Sequence, residues 1–133
     1  MKNSRGVTLI EVLISIAVIG IAFASIYLSF VYGIKTNIKA KNLTLSNQIV
    51  NKEMESVHQI PFSDLVNQTD GAFYLDLSTD LSKLNDGHGY LTIRNFGSDT
   101  KVKEIIVEVT WTEDAITKTT TAATLVTDGG INQ

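Results

Sequence analysis

The chain contains no cysteine and a single proline, Pro61. Without cysteine no disulfide can staple the fold, so any globular part holds together by burial alone. Histidine is almost as scarce: His58 sits in a helical pattern and His88 in a glycine turn, with no ligand spacing for zinc around either. No nucleophile, base and orienting residue stand at a defined spacing, and no glycine-rich phosphate loop is present, so the sequence does not point to an enzyme. Positive charge is also short. The net charge of −3 excludes a strongly basic surface, and nucleic acid is not expected as the main partner. Finally, no charged residue occurs from Val12 to Ile34.

What is present is an apolar stretch followed by a small domain. The 133 residues are 44% hydrophobic and 8% aromatic, and much of the apolar content precedes Lys35. Removing that stretch leaves about 100 residues, enough for one core and too few for two domains. At 1.5 Å per residue the charge-free run covers a hydrocarbon layer of about 30 Å, so it is predicted to span a membrane, from about residue 7 to 34. Lys2 and Arg5 precede it, and the positive-inside rule places the N-terminus in the cytoplasm and the residues after Lys35 outside. Two other readings fit this stretch. Ala22-Phe23-Ala24 has the A-x-A pattern of an ordinary secretory signal, which would release a protein starting at Ser25. A plain anchor whose Glu11 snorkels to the interface would yield a binding protein that never assembles.

Glu11 carries the most information. It lies just inside the apolar run, where an acidic residue at mid-bilayer costs about 2.5–3.5 kcal/mol, so an intramembrane carboxylate implies a partner. It stands fifth counting Val7 as first, after the short basic leader Met1 to Gly6. The run Arg5-Gly6-Val7-Thr8-Leu9-Ile10-Glu11 resembles the start of type IV prepilins and type II secretion pseudopilins. The resemblance implies a leader of residues 1–6, cut between Gly6 and Val7 by a membrane prepilin peptidase, and N-methylation of Val7. It implies that Glu11 pairs with the new amine of a neighbouring subunit in a filament. It also implies as partners other pilin or pseudopilin subunits, membrane lipid and the inner-membrane assembly platform. Pili, secretion pseudopili and competence filaments share these features. Position 7 is more often Phe or Met in such proteins, and a proline common in the membrane half is missing; Gly20 and Gly33 are the softening points here, at about 1 kcal/mol each. Thr8, Ser15, Ser25 and Ser29 are expected to bond back to helix carbonyls.

Helical periodicity continues to Ile60, stopped by Pro61, giving a predicted helix over residues 7–59. In its second half Ile34, Ile38, Leu45 and Ile49 form one apolar stripe and Leu43, Val50, Met54 and Val57 another, which fits either two contacts or a single wide core face with ragged edges. The segment 47–57 with Pro61 to Leu65 resembles the helix end of PilV-like minor pilins and of the I-type minor pseudopilin, and so does the strand ending Val107-Glu108-Val109-Thr110-Trp111.

Residues 60–133 read as the head. Antiparallel strands are predicted near 90–96, 102–112 and 117–126, with an edge strand over 72–77 and a helical turn over 80–84 closed by Asn85-Asp86-Gly87. Ile105, Val107, Val109 and Trp111 share the face expected on the helix. The threonine-rich run 117–124 suits an outer strand, and residues 128–133 a frayed tail. The expected class is α+β, a long N-terminal helix on a small β-meander, the pilin fold. No metal or cofactor is expected. Asp76, Asp80, Asn85 and Asp86 are the oxygen donors that calcium could use, as in some pseudopilin heads, but the glycine and terminal Glu of an EF-hand are absent.

Overall fold

The computed structural model describes residues 8–129. The elements are α1 (Leu9–His58), a 3-10 turn (Phe62–Asp64), β1 (Gln68–Gly71), α2 (Ser78–Leu81), β2 (His88–Phe96), β3 (Asp99–Glu113) and β4 (Ile116–Thr127). The chain divides into two compact units after Ile38, and each is described by itself.

In the first unit every residue from Leu9 onward is helical. Its serine hydroxyls are absorbed by the helix: Ser15 Oγ donates to the Glu11 carbonyl at 2.7 Å, and Ser25 and Ser29 donate to the carbonyls of Ile21 and Ser25 at 2.9 Å each. Polar side chains bonded in this way leave no orphan group on an apolar surface. The helix is long and apolar enough to cross a membrane, and its apolar stretch is uncovered by the rest of the described chain. It passes through Gly20 and Gly33 unbroken, and a Cβ at either would meet nothing within 4 Å.

The second unit starts at Lys39 and is the head, where the last part of α1 packs on a four-stranded antiparallel sheet of order β1-β2-β3-β4. Gln59 and Ile60 close a tight turn on the carbonyls of Ser56 and Val57, and Pro61 ends the helical path. Ile105, Val107, Val109 and Trp111 alternate inward along β3 and are buried, joined by Leu91 and Ile93 of β2 and by Ile49, Val50 and Val57 of α1. In register, Leu91 faces Val107 and Ile93 faces Ile105, while Ala122 and Thr124 of β4 face Val107 and Ile105 from the other side.

Of the two helix readings the single wide face is the one found, and two other expectations change. Its centre is Ser46, Ile49, Val50, Glu53 and Val57, with Leu45 and Met54 at its margins and Leu43 half exposed, while Ile34 and Ile38 are exposed. Two polar residues in mid-face split the apolar pattern, which reads as two stripes in the sequence. The first strand is Gln68–Gly71, four residues earlier than expected, and 72–77 is not strand. The Tyr74 and Leu75 amides are taken by the Glu53 carboxylate instead of a neighbouring strand. The helical turn begins at Ser78, because Asp76 Oδ1 accepts from the Ser78 amide and hydroxyl and starts the turn early.

Candidate functional site

The N-terminal end of α1 is built by Thr8. Its carbonyl accepts the amides of Glu11 and Val12 at 3.1 and 3.3 Å, and its Oγ1 accepts the Glu11 amide at 3.4 Å. Thr8 thus acts as an N-cap, and Thr8-Leu9-Ile10-Glu11 has the capping-box spacing. Glu11 falls in the first turn, where the helix dipole favours a negative charge.

The Glu11 side chain is exposed, and no described residue bonds its carboxylate. Its neighbours form an apolar collar: Leu9 is 81% and Ile10 67% exposed, with Val12, Leu13 and Ile14 also open. An outward-facing acceptor within such a collar can take a cation brought by a second molecule, and the apolar surroundings strengthen that attraction once water is excluded. Gly6 and Val7, the expected cleavage and methylation residues, lie outside the described residues.

In the head, the four candidate calcium donors do not converge. Hydrogen bonds from Ser78 hold the Asp76 carboxyl below its ordinary pKa. Asp80 is bracketed by Lys52 Nζ at 2.7 Å and Lys83 Nζ at 2.6 Å, which hold its pKa down at about 2. Asp86 Oδ1 faces His88 Nε2 at 3.2 Å, and Asn85 Nδ2 donates to the Thr112 carbonyl at 3.2 Å. Among the described residues no three metal-binding side chains gather into one group. His58 ends α1, exposed, and His88 stacks on Tyr90 at a centroid distance of 6.4 Å.

Sequence reasoning missed Glu53. It is fully buried, with Oε1 accepting from the Tyr74 amide at 2.7 Å and Oε2 from the Leu75 amide at 3.1 Å. Burial raises its pKa, and the two amide bonds offset part of that rise. The signal was its spacing: Ser46, Val50, Glu53 and Val57 follow one helix row, so an acid occupied a core position.

Residues 1–27 match the family model described as the prokaryotic N-terminal methylation motif. The match spans the basic leader, Glu11 and the beginning of the charge-free run, so a type IV prepilin-like motif leads into the long apolar helix. No curated protein and no solved structure matches the chain.

Proposed function

We propose that the chain is the precursor of a structural subunit of a type IV filament, a minor pilin or minor pseudopilin rather than an enzyme, working without a cofactor. Prepilin peptidase hydrolyses the Gly6–Val7 bond, water adding its oxygen to the Gly6 carboxylate and its hydrogen to the Val7 amine, and that amine then exchanges a proton for a methyl group from a methyl donor. Before assembly the apolar helix sits in the cytoplasmic membrane with the head outside. At the assembly platform Glu11 meets the Val7 amine of a neighbouring subunit. Stranded in lipid, that carboxylate costs about 2.5–3.5 kcal/mol, and pairing in low dielectric returns part of it while setting the register of one helix on the next.

The observation that carries this reading is the methylation motif over residues 1–27, leading into a helix whose apolar surface is uncovered and whose Glu11 has no partner among the described residues. The minor-subunit assignment rests on the weaker likeness of 47–57, 61–65 and 107–111 to PilV-like and I-type proteins.

Mass measurement of the mature N-terminus tests it. A methylated start at Val7 is expected; an intact leader leaves a non-assembling anchored protein, and a start at Ser25 means an ordinary secreted one. Glu11→Ala is expected to be cleaved and inserted normally yet be absent from sheared filaments. Normal incorporation of that variant refutes the pairing.

A further inference from the structure

Two consecutive helix residues hold one segment of the head. Glu53 takes the amides of Tyr74 and Leu75, and Lys52 Nζ reaches Asp80 Oδ2 at 2.7 Å, so residues 74–80 are strapped to α1 at both ends. Between the clips Leu77 is buried in the core. Just before them Phe73 lies against Gly89, where a Cβ would come within 2.5 Å of the ring. The strap walls a groove of about 390 Å³ together with Leu81 and Gly89.

Glu53 has no exposed surface, and among the described residues no cation pairs with it. The charged groups on the surrounding elements are engaged elsewhere or face outward. On α1, Lys52 binds Asp80 and Glu55 is exposed; on the strap, Asp76 binds Ser78; on α2, Asp80 lies between Lys52 and Lys83. On β2, His88 turns to Asp86 and Arg94 to Glu104; on β3, Lys103 donates to the Leu65 carbonyl and Glu113 pairs with Lys39; Lys118 of β4 is exposed.

We propose that Glu53 makes the 74–80 strap a proton-closed latch, shut when the carboxyl is neutral and loosened when it ionises. A closed strap holds the carboxyl dry with two amides and no counter-charge, whereas an opened strap lets water reach it. A buried charge without a cation costs more than a buried neutral acid, so ionisation favours the open strap. Burial correspondingly lifts the pKa in the closed form. By linkage, the form with the higher pKa gains population as pH falls. The Lys52–Asp80 clip has the opposite sign and fails only as pH drops through about 2. Closure is therefore firmest in mild acid, where Glu53 is protonated and Asp80 is still ionised.

This inference does not depend on the filament reading. Its test is amide exchange in the full chain in detergent micelles. After correction for intrinsic rates, protection of the Tyr74 and Leu75 amides is expected to fall as pH rises, by at most about tenfold per pH unit, the slope of one proton. Amides of Leu91 and Ile105 in the sheet are expected to hold steady, and Glu53→Gln to abolish the slope. Flat or rising protection in the natural chain, or the same slope in Glu53→Gln, overturns the latch. Should that variant not fold, carbon NMR titration of Glu53 in the natural chain decides. A midpoint above the ordinary 4.5 is expected, and one at or below it overturns the proposal.

Discussion

Ser46 Oγ and Thr120 Oγ1 lie 2.9 Å apart, a hydroxyl pair joining α1 to β4 inside the packed face of the head. Ser46 has one proton and gives it to the Leu43 carbonyl at 2.9 Å, so Thr120 is the donor in the pair. Ser46→Ala removes the acceptor that Thr120 donates to and is expected to cost about 1–2 kcal/mol. Thr120→Val keeps the shape while removing the donor, at about 1 kcal/mol. Because both changes break one bond, the double variant is expected to cost less than the two singles together. Urea unfolding followed by circular dichroism measures all three, and strict additivity would show that the pair contributes nothing.

Much of the head was legible because its signals are local. A period of two along Ile105, Val107, Val109 and Trp111 needs only the strand itself, and all four are buried. The start of α1 was legible for a similar reason, since a carboxylate in an apolar run is conspicuous by itself. Glu53 was not. A single acid in a charged helix segment reads as solvated until something covers it, and the amides that cover it come from Tyr74 and Leu75, more than twenty residues on. The same contact hid the true first strand. A segment whose amides go to a side chain has the apolar content of a strand and none of its pairing.

The Asp80 clip sets an acid limit on the head. Its folded pKa of about 2 lies below the ordinary 3.8, with the Lys52 hydrogen bond the largest cause and that of Lys83 next. A depressed carboxyl pKa contributes stability that is present above 3.8 and lost as pH falls toward 2. Lys52→Ala is expected to move the Asp80 midpoint up toward its ordinary value more than Lys83→Ala does, and to flatten the acid limb of the unfolding curve. Carbon NMR titration of the Asp80 carboxyl reads the shift directly. An unchanged midpoint in Lys52→Ala would mean the lysine is solvated and not clipped.

The hairpin between β3 and β4 carries a backbone strain that the sequence leaves unannounced. Glu113 pairs with Ile116, so the connection is the two residues Asp114 and Ala115, with φ of 51° and 62°. Positive φ at both positions is the geometry that matches the strand twist in a two-residue hairpin. Asp tolerates it, but the Cβ of Ala crowds the following carbonyl at a cost of about 1–2 kcal/mol. Glycine removes that clash and gives back about 0.4–1 kcal/mol through the greater freedom of the unfolded chain. Ala115→Gly is therefore expected to stabilise the head by about 0.5–1 kcal/mol, seen as a higher Tm or urea midpoint with an unchanged slope. The substitution spares Asp114, whose carboxylate lies 2.8 Å from Lys39 Nζ and ties the hairpin tip to α1. Asp114→Gly relieves little strain, because Asp tolerates this region, and it loses that tie, so it is expected to gain nothing. Equal gains from the two glycines would place the strain at Asp114 and remove the reason for singling out Ala115.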